Sequence, residues 1–304
     1  MNPKIVIFKY LKSVTIILIL TVFLNVSPVF ADSEHRAGGQ MANALENEVL
    51  PVEVPILMYH HITENPENTT MVTAEKFKMD MIELQNAGFQ PIFFKTLYDY
   101  LQGVGDLHEK PILITFDDGY ESNYLYAFPI MKELNMKFTI SMIGWSVGRA
   151  SFMDNMTPIT PHFTWEQGRE MMNSGLVDFQ NHTYDLHSEA GLSYGMQRPA
   201  ALGVLPLYGE STSLYEKRIK SDLSYMTFEM YKQLGVIGKI LCYPYGAYTP
   251  ETEAILKQMN FWGSLTVKPG IRSYASTADL WEMPRLNVDN ETSVIEIIQK
   301  YAEK

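Results

Sequence analysis

Ile112-Leu113-Ile114-Thr115-Phe116-Asp117-Asp118-Gly119-Tyr120 is a short apolar run that ends in two adjacent carboxylates and a glycine. Preceded by Lys110-Pro111, it has the length and makeup of a buried strand, and the glycine marks a place where the chain must turn. Two neighbouring carboxylates at a strand end repel each other and lose water, which raises the proton affinity of one of them. A metal ion on one relieves the repulsion and frees the other to act as a base. Read alone, the same residues also describe a solvated Asp-Asp-Gly turn. Partners elsewhere in the chain have to decide.

Outward from this strand, apolar runs alternate with helical spacing. Residues 54–60 (VPILMYH) are a strand ending in His60 and His61, and 73–88 a helix with a threonine cap and a terminal glycine. Residues 89–94 read as a strand and 97–103 as a short helix. Residues 120–135 are helical in pattern, with Pro129 expected to kink or interrupt them. Strands then follow at 138–145, 176–182, 239–245, 261–267 and 284–288. Helices fall at 164–174, 213–235, 250–260 and 293–302. Repeated strand–helix alternation without an internal repeat predicts a parallel α/β barrel as one domain over 51–304. Chemistry in such barrels sits at the C-terminal ends of strands, where every polar constellation here falls. Residues 188–212 break the rhythm and are expected to be a lid or groove wall.

The chain has 304 residues, of which 46% are hydrophobic and 12% aromatic, enough to bury a large core. Lys4, Lys9 and Lys12 precede the apolar run 13–24, which is too short to span a bilayer comfortably. Val29-Phe30-Ala31 then offers small residues for cleavage. Residues 1–31 are therefore expected to be a secretory signal peptide, with an uncleaved anchor as the alternative. Residues 32–50, polar and aperiodic, read as a flexible linker. Removing the signal takes away three of 24 basic side chains and none of 35 acids, so the formal charge moves from −11 to −14. Such a surface argues against nucleic acid as a partner. Cys242 is the only cysteine, which excludes an intrachain disulfide framework.

His182 and His187, in Asn181-His182-Thr183-Tyr184-Asp185-Leu186-His187, lie five residues apart at a strand end. Two imidazoles and one carboxylate satisfy three positions of a Zn²⁺-like ion and leave others open. Two surface or capping histidines are the plainer reading. In Tyr243-Pro244-Tyr245-Gly246, proline fixes φ and glycine relaxes the turn. The Tyr245 N–H in that rigid loop is a candidate oxyanion donor; a mere strand-terminating turn is the alternative.

Thr115-Phe116-Asp117-Asp118-Gly119, His182-Thr183 with His187, and Tyr243-Pro244-Tyr245-Gly246 together resemble the first three motifs of the polysaccharide deacetylase family, the NodB-homology group or carbohydrate esterase family four. The resemblance covers roughly residues 52–290 in the family's order. It implies a distorted (β/α)₇ barrel, with Asp117 as general base for the attacking water and Asp118, His182 and His187 as metal ligands. It also implies Tyr245 as oxyanion donor and an acetamide of N-acetylglucosamine as substrate.

Three departures matter. One extra residue separates His182 from His187, a spacing that resembles the branch acting on poly-β-1,6-N-acetylglucosamine, a biofilm exopolysaccharide. Cys242 stands where the family often has an arginine that orients the base; Arg285, in Met283-Pro284-Arg285-Leu286-Asn287-Val288, is the expected replacement, with an ordinary surface salt bridge as the alternative. No histidine follows His187, so the family's late general acid has no counterpart. His60 is the expected substitute, against the reading that it is only packed at its strand end; His61 would face the other way. Asp185 is a candidate acceptor for a ligand imidazole. Tyr184 and Trp262, with Tyr120, Trp145 and Trp281 behind them, are candidates for stacking on sugars.

The expectation is thus a secreted or cell-wall-associated, metal-dependent N-deacetylase of an N-acetylglucosamine polymer: poly-β-1,6-N-acetylglucosamine, peptidoglycan or chitin. Zn²⁺ is the expected metal, with Co²⁺, Ni²⁺ or Fe²⁺ as alternatives. The rivals are an acetylxylan-type esterase and a non-catalytic glycan-binding protein on the same barrel.

Overall fold

In the computed structural model, which describes residues 49–188 and 202–302, eight strands build the central sheet. They are β1 (Ile56–Tyr59), β2 (Gln90–Pro91), β3 (Pro111–Phe116), β4 (Phe138–Met142), β5 (Val177–Asn181), β6 (Ile240–Cys242), β7 (Gly263–Leu265) and β8 (Leu286–Asn287). All their pairings are parallel, in the order β7-β6-β5-β4-β3-β1-β8, with β2 against the start of β3. A single parallel bridge between Leu265 and Met283 links β7 to the segment entering β8. The sheet is therefore a curled half-barrel, as the strand–helix alternation predicts. The expected signal peptide, all but the last two residues of the expected linker, and residues 189–201 of the expected lid lie outside the described residues.

Helices α1 (Ala74–Asn86), α2 (Phe94–Leu101), α3 (Phe128–Glu133), α4 (Trp165–Asn173), α5 (Thr212–Leu234), α6 (Pro250–Gln258) and α7 (Val294–Ala302) alternate with the strands. Their ends follow local chemistry. Thr73 accepts the Lys76 N–H at the start of α1, and Thr164 and Gln167 form a reciprocal capping box on α4. Ser211 caps α5, which stops at Gly235 in the left-handed conformation. Pro129 does not break the 120–135 helix, which runs on through it, but its turn is altered just ahead of the proline. A widened turn at Asn123–Ala127 precedes α3, and Pro129 sits in the first turn of α3, where its missing N–H needs no partner. The 89–94 strand shrinks to two residues because α2 starts earlier than its spacing indicates, at Phe94. Among the described residues no helix is long and apolar enough to cross a membrane.

Parity along the strands decides what each side chain faces. All six residues of β3 are buried, as expected for a parallel strand covered on both sides. Ile112, Ile114 and Phe116 pack with Phe77 and Met81 of α1, Met131 of α3 and Ile297 of α7. Leu113 points the opposite way and meets Ile56, Ile240, Cys242 and Leu265 from three other strands. The same alternation sends Thr115 and then Asp117 to the inside of the curl. Each apolar side chain buried this way contributes about 1.5–3 kcal/mol, which offsets the desolvation of charges at the strand tips.

A buried carboxylate on α1 lies on the outer side. Tyr59 donates its hydroxyl to Asp80 on α1 (3.0 Å), and Lys76 holds the other carboxylate oxygen. Burial outweighs these partners and raises the Asp80 carboxyl to about 6. With a folded pKa above the ordinary 3.8, its stabilising contribution is complete below about pH 4 and is lost as pH rises through about 6. The melting temperature of Asp80→Asn relative to the parent is therefore expected to climb between pH 4 and pH 8. A flat difference across that range would count against the burial argument.

Candidate active site

Side chains from positions far apart in sequence converge inside the curl. Asp117 follows β3 directly and is 3% exposed. Asp118 and Gly119 then adopt positive φ values of 71° and 85°, an abrupt turn that an aspartate tolerates better than most residues. The two adjacent carboxylates thereby serve different partners.

Arg285, fully buried, grips Asp117 in a two-pronged pair, Nη1 to Oδ1 at 2.8 Å and Nη2 to Oδ2 at 2.7 Å. Its remaining N–H groups go to the Thr266 carbonyl (2.8 Å), Thr115 Oγ1 (3.3 Å) and Cys242 Sγ (3.1 Å). All five guanidinium donors are thus engaged. Burial alone would raise the Asp117 carboxyl, but the Arg285 charge outweighs it and holds the group at about 2. Burial pushes the Cys242 thiol up, so it stays protonated and donates to Asp117 Oδ1 at 3.3 Å. Arg285, expected in place of the missing motif arginine, thus lies fully buried against Asp117. The surface-salt-bridge reading does not fit that burial.

Asp118 meets the imidazoles. His182 Nε2 lies 3.3 Å and His187 Nε2 3.2 Å from Asp118 Oδ1. His182 Nδ1 is 2.8 Å from the Cys242 carbonyl, which can only accept, so Nδ1 carries the hydrogen and Nε2 of the neutral ring faces Asp118 with a lone pair. Asp118 Oδ1 is buried without a hydrogen-bond donor. The pocket therefore favours positive charge. Although burial opposes it, Cys242 and Asp118 push the His182 pKa well above its ordinary value. Against burial again, His187 and His182 hold Asp118 well below the usual carboxylate range. One carboxylate and two imidazoles with mutually close ligand atoms fit a divalent cation of the zinc class. The Cys242 carbonyl takes the His182 Nδ1 hydrogen.

His60, at the tip of β1, places Nε2 3.7 Å from Asp117 Oδ2, while its carbonyl accepts from Asn123 Nδ2 (2.8 Å). Burial lowers the His60 pKa, and the nearby Asp117 and Asp118 charges only partly offset this. His61 has the opposite parity and hydrogen-bonds Ser122 Oγ through Nδ1 (2.9 Å). Tyr245 sits at φ 59°, with its ring 4.6 Å from that of His187. Gly246 beside it has no room for a side chain, since a Cβ would meet Val267 at 2.4 Å.

Tyr120 lies beside Asp118, whose charge raises its phenol pKa, and its ring packs on His61 and on His162, 5.0 Å away. Nothing in the local sequence around His162 marks it. Trp262 is not at the site: it stacks on Tyr98 of α2 (4.2 Å) just ahead of β7, at the opposite end of the strand from the motifs. Tyr184 packs edge-on against Tyr225 of α5 (4.4 Å).

The family model for polysaccharide deacetylases matches residues 104–263. YxkH, assigned as a polysaccharide deacetylase in Bacillus subtilis (strain 168), is 31% identical over 73% of this chain and 67% of its own length. The poly-β-1,6-N-acetyl-D-glucosamine N-deacetylase of Escherichia coli (strain K12) is 28% identical over 71% of this chain and 33% of its own, so the match spans about a third of that enzyme. Among solved structures, a de-N-acetylase from Aggregatibacter actinomycetemcomitans superposes with a TM-score of 0.70 at 25% identity, covering 82% of this chain and 99% of that one. With the family model covering more than half of its length, this chain belongs to the polysaccharide deacetylase family and is a hydrolase of amide bonds.

Proposed function

We propose that this protein is a secreted, Zn²⁺-dependent N-deacetylase of poly-β-1,6-N-acetylglucosamine, with residues 1–31 as its export signal and residues 51–304 as one deacetylase domain. The observation that carries this reading is the split at the tip of β3. Asp117 is kept ionised by Arg285, while Asp118 converges with His182 and His187. The His182–His187 spacing and the similarity to the E. coli poly-β-1,6-N-acetyl-D-glucosamine N-deacetylase support the β-1,6-linked polymer.

A divalent cation held by Asp118, His182 and His187 would supply Lewis acidity and a lowered water pKa. Asp117 takes the proton of the attacking water. Arg285 lowers the basicity of Asp117 and in exchange holds its two oxygens in one orientation. The Tyr245 N–H donates to the oxyanion that forms on the acetamide carbon. His60, on the Oδ2 side of Asp117, hands a proton to the departing nitrogen, leaving acetate and a free amine. His60→Ala is expected to lose roughly 10²–10⁴-fold in turnover with cation still bound. Parent-like turnover by that variant would remove His60 from the reaction.

The function is tested with the chain from residue 32, loaded with Zn²⁺ or Co²⁺, by measuring amine released from β-1,6- and β-1,4-linked N-acetylglucosamine oligomers. Faster release from the β-1,6 series is expected. Preference for β-1,4 would point to wall or chitin, acetate from acetylxylan alone to an esterase, and no release with cation bound to a glycan-binding protein.

A further inference from the structure

His182 directly follows β5; its N–H is taken by the Met142 carbonyl (3.2 Å) and its ring is held by the Cys242 carbonyl. His187 is not on a strand, so its place depends on the turn between them. That turn opens with Thr183 at φ 70°, whose N–H is taken by Asn181 Oδ1 (2.7 Å). Thr183 Oγ1 in turn accepts the Leu186 N–H (3.2 Å). The carbonyls of Thr183 and Tyr184 accept the N–H groups of Gly144 and Trp145, both at 3.0 Å. Two consecutive N–H groups remain, those of Tyr184 and Asp185, and both go to one side chain from another element. Asp222 of α5 takes the first on Oδ1 and the second on Oδ2, each at 2.8 Å.

We infer that Asp222 is a positioning residue of the cation site: by clamping both middle amides of the turn between His182 and His187, it sets where His187 stands relative to His182. The inference rests on the reading that Asp118, His182 and His187 hold the cation. The physical case has three parts. Bonds from N–H groups to an ionised carboxylate are about twice as strong as neutral ones. A carboxylate spanning two successive N–H groups fixes the peptide plane between them as well as its distance. The helix behind it is firmly seated, because Ile219, Leu223 and Met226 around Asp222 are fully buried. With the clamp in place the two imidazole rings stand 5.0 Å apart with 54° between their planes, and both present Nε2 to Asp118. A turn with five-residue spacing has more freedom than a shorter one, and Asp222 removes that freedom from outside the turn.

The test uses the full chain and its Asp222→Ala and Asp222→Asn variants. Zn²⁺ affinity is measured by competition with a chromophoric chelator, the visible band of bound Co²⁺ is recorded, and the cation-free proteins are melted. Asp222→Ala is expected to bind Zn²⁺ about 10–100-fold more weakly, the usual cost of losing a group that orients a ligand. Asp222→Asn, which keeps one acceptor oxygen, should fall between that variant and the parent. The Co²⁺ band should change in intensity or position in both, an effect that a loss of general stability does not produce. Parent-like affinity and an unchanged Co²⁺ band in the variants would overturn the inference, whatever their melting temperatures; if the alanine variant does not fold, the asparagine variant decides alone. A parent that binds neither ion would overturn the ligand assignment and this inference together, whereas a parent that binds and variants that match it would overturn this inference only.

Discussion

Asp117→Asn is expected to slow amine release by roughly 10³-fold, the scale of a lost general base, while the protein still takes up its divalent cation. The expectation follows from the separation of roles at the tip of β3. Asp118 alone of the two carboxylates meets His182 and His187, so the amide at 117 leaves the ligand set intact. Asparagine keeps the size of aspartate and one acceptor for Arg285, but cannot accept a proton from water. Its NH₂ would face a guanidinium N–H in place of one of the two bonds now at 2.7 and 2.8 Å, so some loss of melting temperature is expected as well. The measurement is initial rates at saturating oligomer, with cation content determined on the same samples. An asparagine variant that carries a full complement of cation and turns over like the parent would show that Asp117 is not the base.

Arg285→Met should cost the most in stability. Arg285 and Asp117 are both buried, and breaking such a pair from one side costs about 3–5 kcal/mol because the other charge is left without a partner. For a domain of this size that corresponds to a melting temperature lower by roughly 10 °C. The Asp117 carboxyl, now at about 2, should rise once burial is no longer outweighed, and turnover near neutral pH should fall with its altered orientation. The pair of single variants and the double variant Asp117→Asn/Arg285→Met form a cycle that isolates the coupling. The double variant is expected to melt above Arg285→Met alone, since it no longer buries an unpaired charge. Strictly additive losses would mean that the two residues stabilise the fold independently.

How far the chain could be read in advance depends on the distance over which each signal acts. The helix starting after Thr73 was legible because a cap and the amide it serves lie three residues apart. The buried strand before Asp117 was legible because six consecutive apolar or small residues leave few alternatives. The start of α2 was misplaced because the apolar residues at 92–97 suit a strand or a helix equally well, and packing made the choice. Trp262 was misplaced for a related reason. Its position beside a strand was readable, but its place at the end away from the motifs, against Tyr98, depended on how the chain reached that strand.

The sequence by itself determined the family, the alternation of strands and helices, and the identity of the carboxylates and imidazoles, since these lie in short contiguous motifs whose chemistry is local. Only the tertiary structure decided that Arg285 reaches Asp117 across 168 positions, that Cys242 serves Asp117 with its thiol and His182 with its carbonyl, and that Asp222 clamps the turn before His187. Those contacts arise because strand parity turns chosen residues inward and the curl of a parallel sheet then brings distant strand ends together. Neither effect leaves a mark in any short stretch of sequence.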